Sequence, residues 1–535
     1  MNRGFDFEKH TGAAGKTGCE GEALPCRRIS RRAFLRAAAT GLGALALSGA
    51  LGRTAGLVAP HTARAVERSS TAAATASPRR FLLLDDRNVS RLENVELALG
   101  RVEKHPANPL FIQSEPWEHN YDNFYGNIVY DEELGEYRLW YLCFVGGESA
   151  LLFARSRDGI DWEKPSLELW EYGGSRKNNI VLMGVHGAGV FKDDLDPDPG
   201  RRYKLIARNE ETEELEVAFS SDGIHWSKPI PQPRISATAD THNALLWAPT
   251  LGRYVVFTRQ WSLWPYNDRT VTPTEEMLPP GYQLLPRNHE LRRKGVRQVA
   301  RSETAPGGDF ASFQRAEVVL EGRSIVEQIY AMPVFHYEGV YLGLPAIYED
   351  FLSHRVWTEL AWSPDTVEWR RLLPGKAFIP NGPEGAYDRG MVWACASPIV
   401  TGDEIRMYYG GFDLPHGADG RRGSLCLATL KRDRWAGYTA ADEGTVLTAP
   451  FSVDGRELWA NADASTGNLR AELLDEEGRV IEGFRASEAL PVQGDGTRLA
   501  VRWKGRSLEA LRGRRVQIRW FLANATLYAY GVEGA

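Results

Sequence analysis

The sequence predicts an all-β protein, a five-bladed β-propeller followed by a smaller β-sandwich, and three observations carry that prediction. A short signature recurs as Ser156-Arg-Asp158-Gly159-Ile-Asp-Trp162, Ser221-Asp222-Gly223-Ile-His-Trp226 and Ser363-Pro-Asp365-Thr-Val-Glu-Trp369, each time just after a strand-like run. Five strand-rich units line up around these copies. A run of short, polar-alternating strands with a different texture follows them. Repeated strand units cannot bury their faces alone and must pack on their neighbours around a channel. In each signature the Asp can tie down its own backbone, the Gly supplies a tight turn, and the Trp wedges between blades.

The units justify themselves in order. The first has an apolar inner strand at 127–130, a turn at 131–135, an aromatic-rich strand at 137–142 and a third strand at 150–155 before the first signature. The second repeats that order at 189–191, 202–206 and 215–220, with an Asp/Pro-rich turn through Gly200. The third runs 243–247, 254–258 and, after a long insertion, 298–302. The fourth runs 331–335, 340–344 and 358–363, and the fifth 393–400, 404–409 and 424–428. Hairpin turns at Gly252, Gly339 and Gly402 punctuate them. The segment Phe81-Leu-Leu-Leu84 is expected at a sheet edge, helping to close the ring. Beyond Thr439, alternating strands at 458–461, 469–474, 501–503, 516–522 and 526–530, with turns such as Glu477-Gly478 and Gly494-Asp495-Gly496, suit a two-sheet sandwich.

The N-terminal Ser30-Arg31-Arg32-Ala33-Phe34-Leu35-Arg36, the weakly apolar run after it and Ala63-Arg64-Ala65 resemble a bacterial twin-arginine export signal. That resemblance implies passage through the twin-arginine machinery to a periplasmic or extracellular location. Gly residues and Arg53 interrupt the apolar run, which falls short of the about 20 apolar residues of a spanning helix, so no membrane span is expected in the mature protein. The expected organisation is a signal at 1–65, a flexible leader at 66–79, the propeller at 80–438 and the sandwich at 439–535. With a formal net charge of −6 and no basic block in the mature part, nucleic-acid binding is disfavoured. Cys143, Cys395 and Cys426 sit in apolar strands without paired or metal-ligand spacing, which reads as buried thiols. Neither a metal nor a cofactor is expected.

The order and spacing of the units resemble the glycosyl hydrolase five-bladed propeller superfamily, the fold shared by glycoside hydrolase families 32, 43, 62, 68 and 130. The C-terminal part is similar to the sandwich of family 32 enzymes at Asn461-Ala-Asp-Ala, Gly467-Asn-Leu-Arg470, 475–478, Gly483-Phe484 and Trp503-Lys-Gly505. The family 32 motifs of the Trp-Met-Asn-Asp-Pro, Arg-Asp-Pro and Glu-Cys types are absent, so the resemblance implies the superfamily and not the activity of a named family.

In such propellers, side chains just before each inner strand converge at the channel mouth. Here these are Asp122 with Asn120, Tyr121 and Asn123, His186, Asp240 with Thr241, His242 and Asn243, Glu327 with Gln328 and Tyr330, and Asp388 with Arg389. Glycoside cleavage needs one group to protonate the leaving oxygen and a carboxylate to activate water or attack the anomeric carbon. The superfamily arrangement implies Asp122 as base or nucleophile, Asp240 as supporting acid and Glu327 as proton donor, with carboxylates about 5 to 10 Å apart. Best-known families put the supporting residue on blade two, where this chain has His186. Trp117, Trp261, Trp264, Tyr266 and Trp393 are candidate sugar platforms, Arg259 and Arg389 candidate donors to the substrate, and His416 can also reach the mouth. The expected function is an exported glycoside hydrolase acting on an oligo- or polysaccharide. A non-catalytic glycan-binding propeller and a glycoside phosphorylase are the alternatives.

Overall fold

The computed structural model describes residues 79–262, 296–324, 326–350 and 352–534. The expected signal, nearly all of the leader, and Trp264 and Tyr266 lie outside the described residues. Among the described residues no helix is long and apolar enough to cross a membrane.

Five antiparallel blades follow one another along the chain. Blade I is built on Asn127–Asp131, Glu136–Val145 and Glu148–Ser156, and blade II on Val185–Lys192, Tyr203–Asn209, Leu215–Ser220 and Ile230–Pro231. Blade III comprises Ala244–Ala248, Arg253–Ser262, Val296–Glu303 and Glu317–Glu321. Blade IV has Val334–Tyr337, Val340–Gly343, Leu360–Ser363 and Arg370–Leu372, and blade V has Met391–Ala394, Glu404–Phe412 and Gly423–Lys431. In blade IV, Pro333 and Pro345 interrupt the ladder because proline donates no backbone hydrogen bond. The segments beyond those breaks, Glu327–Ala331, Ala346–Glu349 and Val356–Thr358, form their own pairs and join blade V through one parallel pairing, Val356 with Met391.

The ring closes at blade V. Glu103–Lys104 and Phe111–Ile112 add the outermost strand by pairing with Gly423–Lys431, in the registers Lys104 to Ala428 and Phe111 to Leu425. The segment expected to help, around Phe81, does something else. Arg79–Leu82 pairs with Arg515–Glu533, and Val89–Glu93 and Glu96–Leu99 pair with Ala436–Thr448, so residues 79–99 belong to the C-terminal sheet. Phe81 stacks there on Tyr530 at 4.7 Å.

The signatures act as latches between blades. Ser156, Ser220 and Ser363 each accept a 2.8 Å hydrogen bond from the backbone three residues on, at Gly159, Gly223 and Thr366. The serine of the second copy is therefore Ser220, one before the Ser221 read from the sequence. Asp158, Asp222 and Asp365 each accept two further backbone N–H groups. Trp162 then meets Tyr408 of blade V edge-on at 5.7 Å, and Trp369 meets Phe257 of blade III at 5.5 Å. Gly223 accepts from Trp140 Nε1 of blade I at 2.7 Å, and with φ of 72° and a Cβ position only 2.5 Å from that ring it admits no side chain.

Around the axis the inner strands are stitched by side chains. Asn127 donates to Ala188 and accepts from the Val190 N–H; Asn243 donates to Gly187; Thr241 donates to the Tyr330 carbonyl. A cavity of 210 Å³ runs there, with Asn127, Val190, Leu246 and Val334 from the inner strands of blades I to IV and Ala396 from just beyond that of blade V.

The C-terminal part is one antiparallel array dominated by Glu457–Leu474 and Arg515–Glu533. Register shifts at 440/443 and 463/468 break these long strands into halves, which is how a continuous sheet turns over on itself into a sandwich. Trp503 and Trp520 lie in its core with Phe451 and Phe484. It grips blade V through Arg434, which donates to Asn461 and to the Ala462 carbonyl and pairs with Asp495.

Candidate active site

The site begins with a strained turn. After the short strand Asn120–Tyr121 the chain passes Asp122 and then places three consecutive non-glycine residues in the left-handed region, Asn123, Phe124 and Tyr125, with φ of 48°, 65° and 38°. Each costs on the order of 1–3 kcal/mol. The turn persists because Asp122 and Phe124 are hydrogen-bonded to Leu142 of the next strand, and Phe124 stacks on buried Tyr141 at 5.3 Å.

Blade II supplies His186, beside Gly187, where a Cβ would collide with the Thr241 carbonyl at 1.6 Å. Blade III supplies Asp240 from the turn 239–243. Asn243 clamps that turn, donating to the carbonyls of Gly187, Ala239 and Thr241 while accepting from Thr258. Asn243 is fully buried. It positions Asp240 against His186 instead of facing a substrate, which corrects its expected role.

The three groups form a chain. His186 Nδ1 lies 2.8 Å from Asp122 Oδ2 and Nε2 lies 3.1 Å from Asp240 Oδ1. The facing oxygens of the two carboxylates stand at most about 8 Å apart, within the range of catalytic carboxylate pairs, and the imidazole ring occupies the space between them. Arg259 Nη1 holds the other Asp240 oxygen at 2.9 Å, and its Nη2 donates to the Tyr330 carbonyl at 3.0 Å. Burial disfavours a charged His186, but contact with the two carboxylates outweighs it and raises the imidazolium to about 10. Burial likewise works against an ionised Asp240, yet His186 and Arg259 bring it down to about 2. Below them, His242 is buried, stacks on Tyr125 at 5.5 Å and is pushed down to about 3, so it is neutral.

Aromatic rings wall the centre. Trp393 stands edge-on to Tyr125 at 5.8 Å and to Tyr330 at 4.9 Å, and Tyr125 stands edge-on to His186 at 5.9 Å. Asn123 donates to the Tyr125 hydroxyl at 3.0 Å. Among the described residues, Trp393 Nε1, Asp122 Oδ2 and His186 Nε2 are buried without an aligned hydrogen bond.

The remaining expectations fall elsewhere. Glu327 is paired with Arg323 and with Arg371, whose Nη1 lies 2.8 Å away. Burial raises its carboxyl, but the two guanidinium groups prevail and hold it below the usual carboxylate range, so it is ionised and does not join Asp122 and Asp240 as a proton donor. Its neighbours Gln328 and Tyr330, on the opposite strand face, point toward Arg297 and Arg259. Asp388 is buried against Lys104 at 2.5 Å and Tyr409 at 2.9 Å, an internal tie between blade V and its closing strand. Arg389 pairs with exposed Glu384. Trp117 donates to Asn179 at 2.8 Å and packs on the core of blade I. Trp261 lies under the guanidinium of Arg297 at 4.7 Å. Tyr125, Arg297 and Arg421 were not singled out from the sequence, whereas Tyr330 was read with Glu327 as a residue of the mouth; it lies three residues on, on the alternate face of the same strand.

No family model matches the sequence, and no curated protein matches it. Solved structures similar in shape include a β-1,2-mannobiose phosphorylase from Listeria innocua, at 14% identity and TM-score 0.41, covering 62% of this chain and 97% of that one. The catalytic domain of a GH62 α-L-arabinofuranosidase from Coprinopsis cinerea matches at 13% identity and TM-score 0.40, covering 62% and 97%. A glycosyl hydrolase from Bacteroides ovatus matches at 13% identity and TM-score 0.40, covering 63% and 95%. At that level no chemistry transfers from these proteins; it is read from the side chains of this one.

Proposed function

We propose that the protein is a glycoside hydrolase acting at the propeller mouth. The observation that carries this reading is the pair of carboxylates from blades I and III bridged by His186 within an aromatic-walled centre. Asp122 takes a proton from water as that water attacks the anomeric carbon. His186 holds the proton for the other side of the reaction. As the glycosidic bond breaks, that proton passes by way of Asp240 Oδ1 to the departing oxygen, a stronger base than the imidazole it leaves. Water thus supplies a hydroxyl to the sugar and a proton to Asp122, the leaving group receives the proton of His186, and exchange with solvent restores both. Trp393, Tyr125 and Tyr330 are buried, so they brace the centre from behind, and Trp393 does not serve as the sugar platform expected of it. The twin-arginine resemblance of residues 30–36 supports an exported location.

A second reading, phosphorolysis in place of hydrolysis, is favoured by the cations around Tyr330. The test is a panel of oligosaccharides incubated with the purified protein with and without phosphate, products being separated by chromatography. Release of free reducing sugar without phosphate supports hydrolysis; release of a sugar phosphate replaces it with phosphorolysis; binding without cleavage removes both.

A further inference from the structure

Beside the Asp122, His186 and Asp240 chain lies a collar of cations that the hydrolytic steps above do not use beyond the hold of Arg259 on Asp240. Its hub is Tyr330. Arg259 and Arg297 sit 4.1 and 4.8 Å from its ring centroid, and His416 Nε2 lies 3.2 Å from its hydroxyl. Arg421 reaches in from the blade V loop, its Nη1 3.5 Å from Oδ1 of Asn123, the residue after Asp122. Among the described residues no carboxylate pairs with Arg421.

The other two arginines do have acidic partners, Asp240 for Arg259 and Asp350 for Arg297. Arg421 has no such partner among the described residues: it is half-buried, with its guanidinium 5.4 Å from the Phe412 ring centroid, and it brings donors not engaged by a carboxylate to the edge of the centre, the complement that an oxyanion fits. The local field agrees: burial, and then Arg421, Arg297, Arg259 and His354, push His416 down to about 3, so the collar resists a further cation.

We propose that Arg421, Arg297, His416 and Tyr330 form an oxyanion subsite adjoining the bond-cleaving carboxylates, filled by the carboxylate of an acidic sugar residue or by free phosphate. The placement of a saccharide beside it rests on the glycoside-cleaving reading. The subsite itself rests on the collar.

The experiment is calorimetric titration of the purified protein and of Arg421→Gln with a neutral oligosaccharide, its hexuronate-containing counterpart, free glucuronate and inorganic phosphate. Arg421→Lys serves as the charge-retaining variant and thermal melting as the check on folding. Wild type should prefer the anionic probe, and Arg421→Gln should reduce that preference about 10- to 100-fold, with partial recovery in Arg421→Lys. A loss confined to the hexuronate probes assigns the subsite to a substrate carboxylate; a loss confined to phosphate assigns it to the free anion. Should His416→Gln be the better-folded variant, the same loss is expected there. Absence of anion binding in wild type, or equal binding in all variants, overturns the proposal. Arg421-dependent binding of glucuronate or phosphate without any oligosaccharide binding would leave the subsite standing and remove the glycoside-cleaving reading.

Discussion

Replacing His186 with glutamine removes the cation that joins buried Asp122 to half-exposed Asp240, and the consequence can be worked out from the site. A histidine whose imidazolium persists to about 10, against 6.5 for a free one, is stabilised by a ceiling of roughly 5 kcal/mol. The Asp240 side chain is 47% exposed, so water screens its share, and a working contribution of about 3 kcal/mol remains. Because the folded state holds the proton more tightly, this contribution is fully present below pH 6.5 and is lost as the pH rises through about 10. The direct assay is proton titration by NMR with isotope-labelled histidine, the His186 signal being identified as the one missing from His186→Gln. Its midpoint should lie near 10, and melting temperature between pH 7 and 10 should fall more steeply in wild type than in the variant. A midpoint below 7, or equal slopes, would refute the ion-pair chain and with it the proton source proposed for the leaving oxygen.

Asp122→Asn should lower turnover on the order of a thousandfold while oligosaccharide binding measured by calorimetry persists, since water activation is lost and the shape is kept. Glu327→Gln should leave turnover close to wild type and cost about 1 to 3 kcal/mol in denaturant unfolding, because its carboxylate serves Arg371 and Arg323. Gly223→Ala should destabilise by about 2 to 4 kcal/mol, read as a lowered melting temperature, from the left-handed backbone and the collision with Trp140.

The blades were legible because their inner strands, turns and signatures repeat locally. The site was legible where the strand entrances of blades I to III carry Asp122, His186 and Asp240, whose convergence follows from topology alone. It failed at blade IV for a geometric reason. Adjacent strand residues face opposite ways, so reading Glu327 in place of Gln328 or Tyr330 moves a carboxylate from the axis to the ion pair with Arg371. The same one-residue sensitivity separates Ser220 from Ser221. Asp388 failed differently: its partner Lys104 lies 284 residues earlier, beyond any local pattern. The cations around Tyr330 come from two strands of blade III and from the loop between 412 and 423 within blade V, and only the folded ring brings them together.

The closing strand has a consequence for how the chain reaches its native state. Residues 103–112 are synthesised early and wait more than three hundred positions for 423–431, the segment that gives them a partner. Residues 79–99 wait longer still, for 436–448 and 515–533. Both early segments therefore spend translation as unpaired edges, and such long-range pairings form slowly. A chain cut short before residue 423 cannot complete its last blade and exposes a templating edge along it. Ring closure is thus a proofreading step on synthesis: full-length chains can hide their edges, whereas incomplete ones carry a self-adhesive strand that marks them for aggregation or degradation.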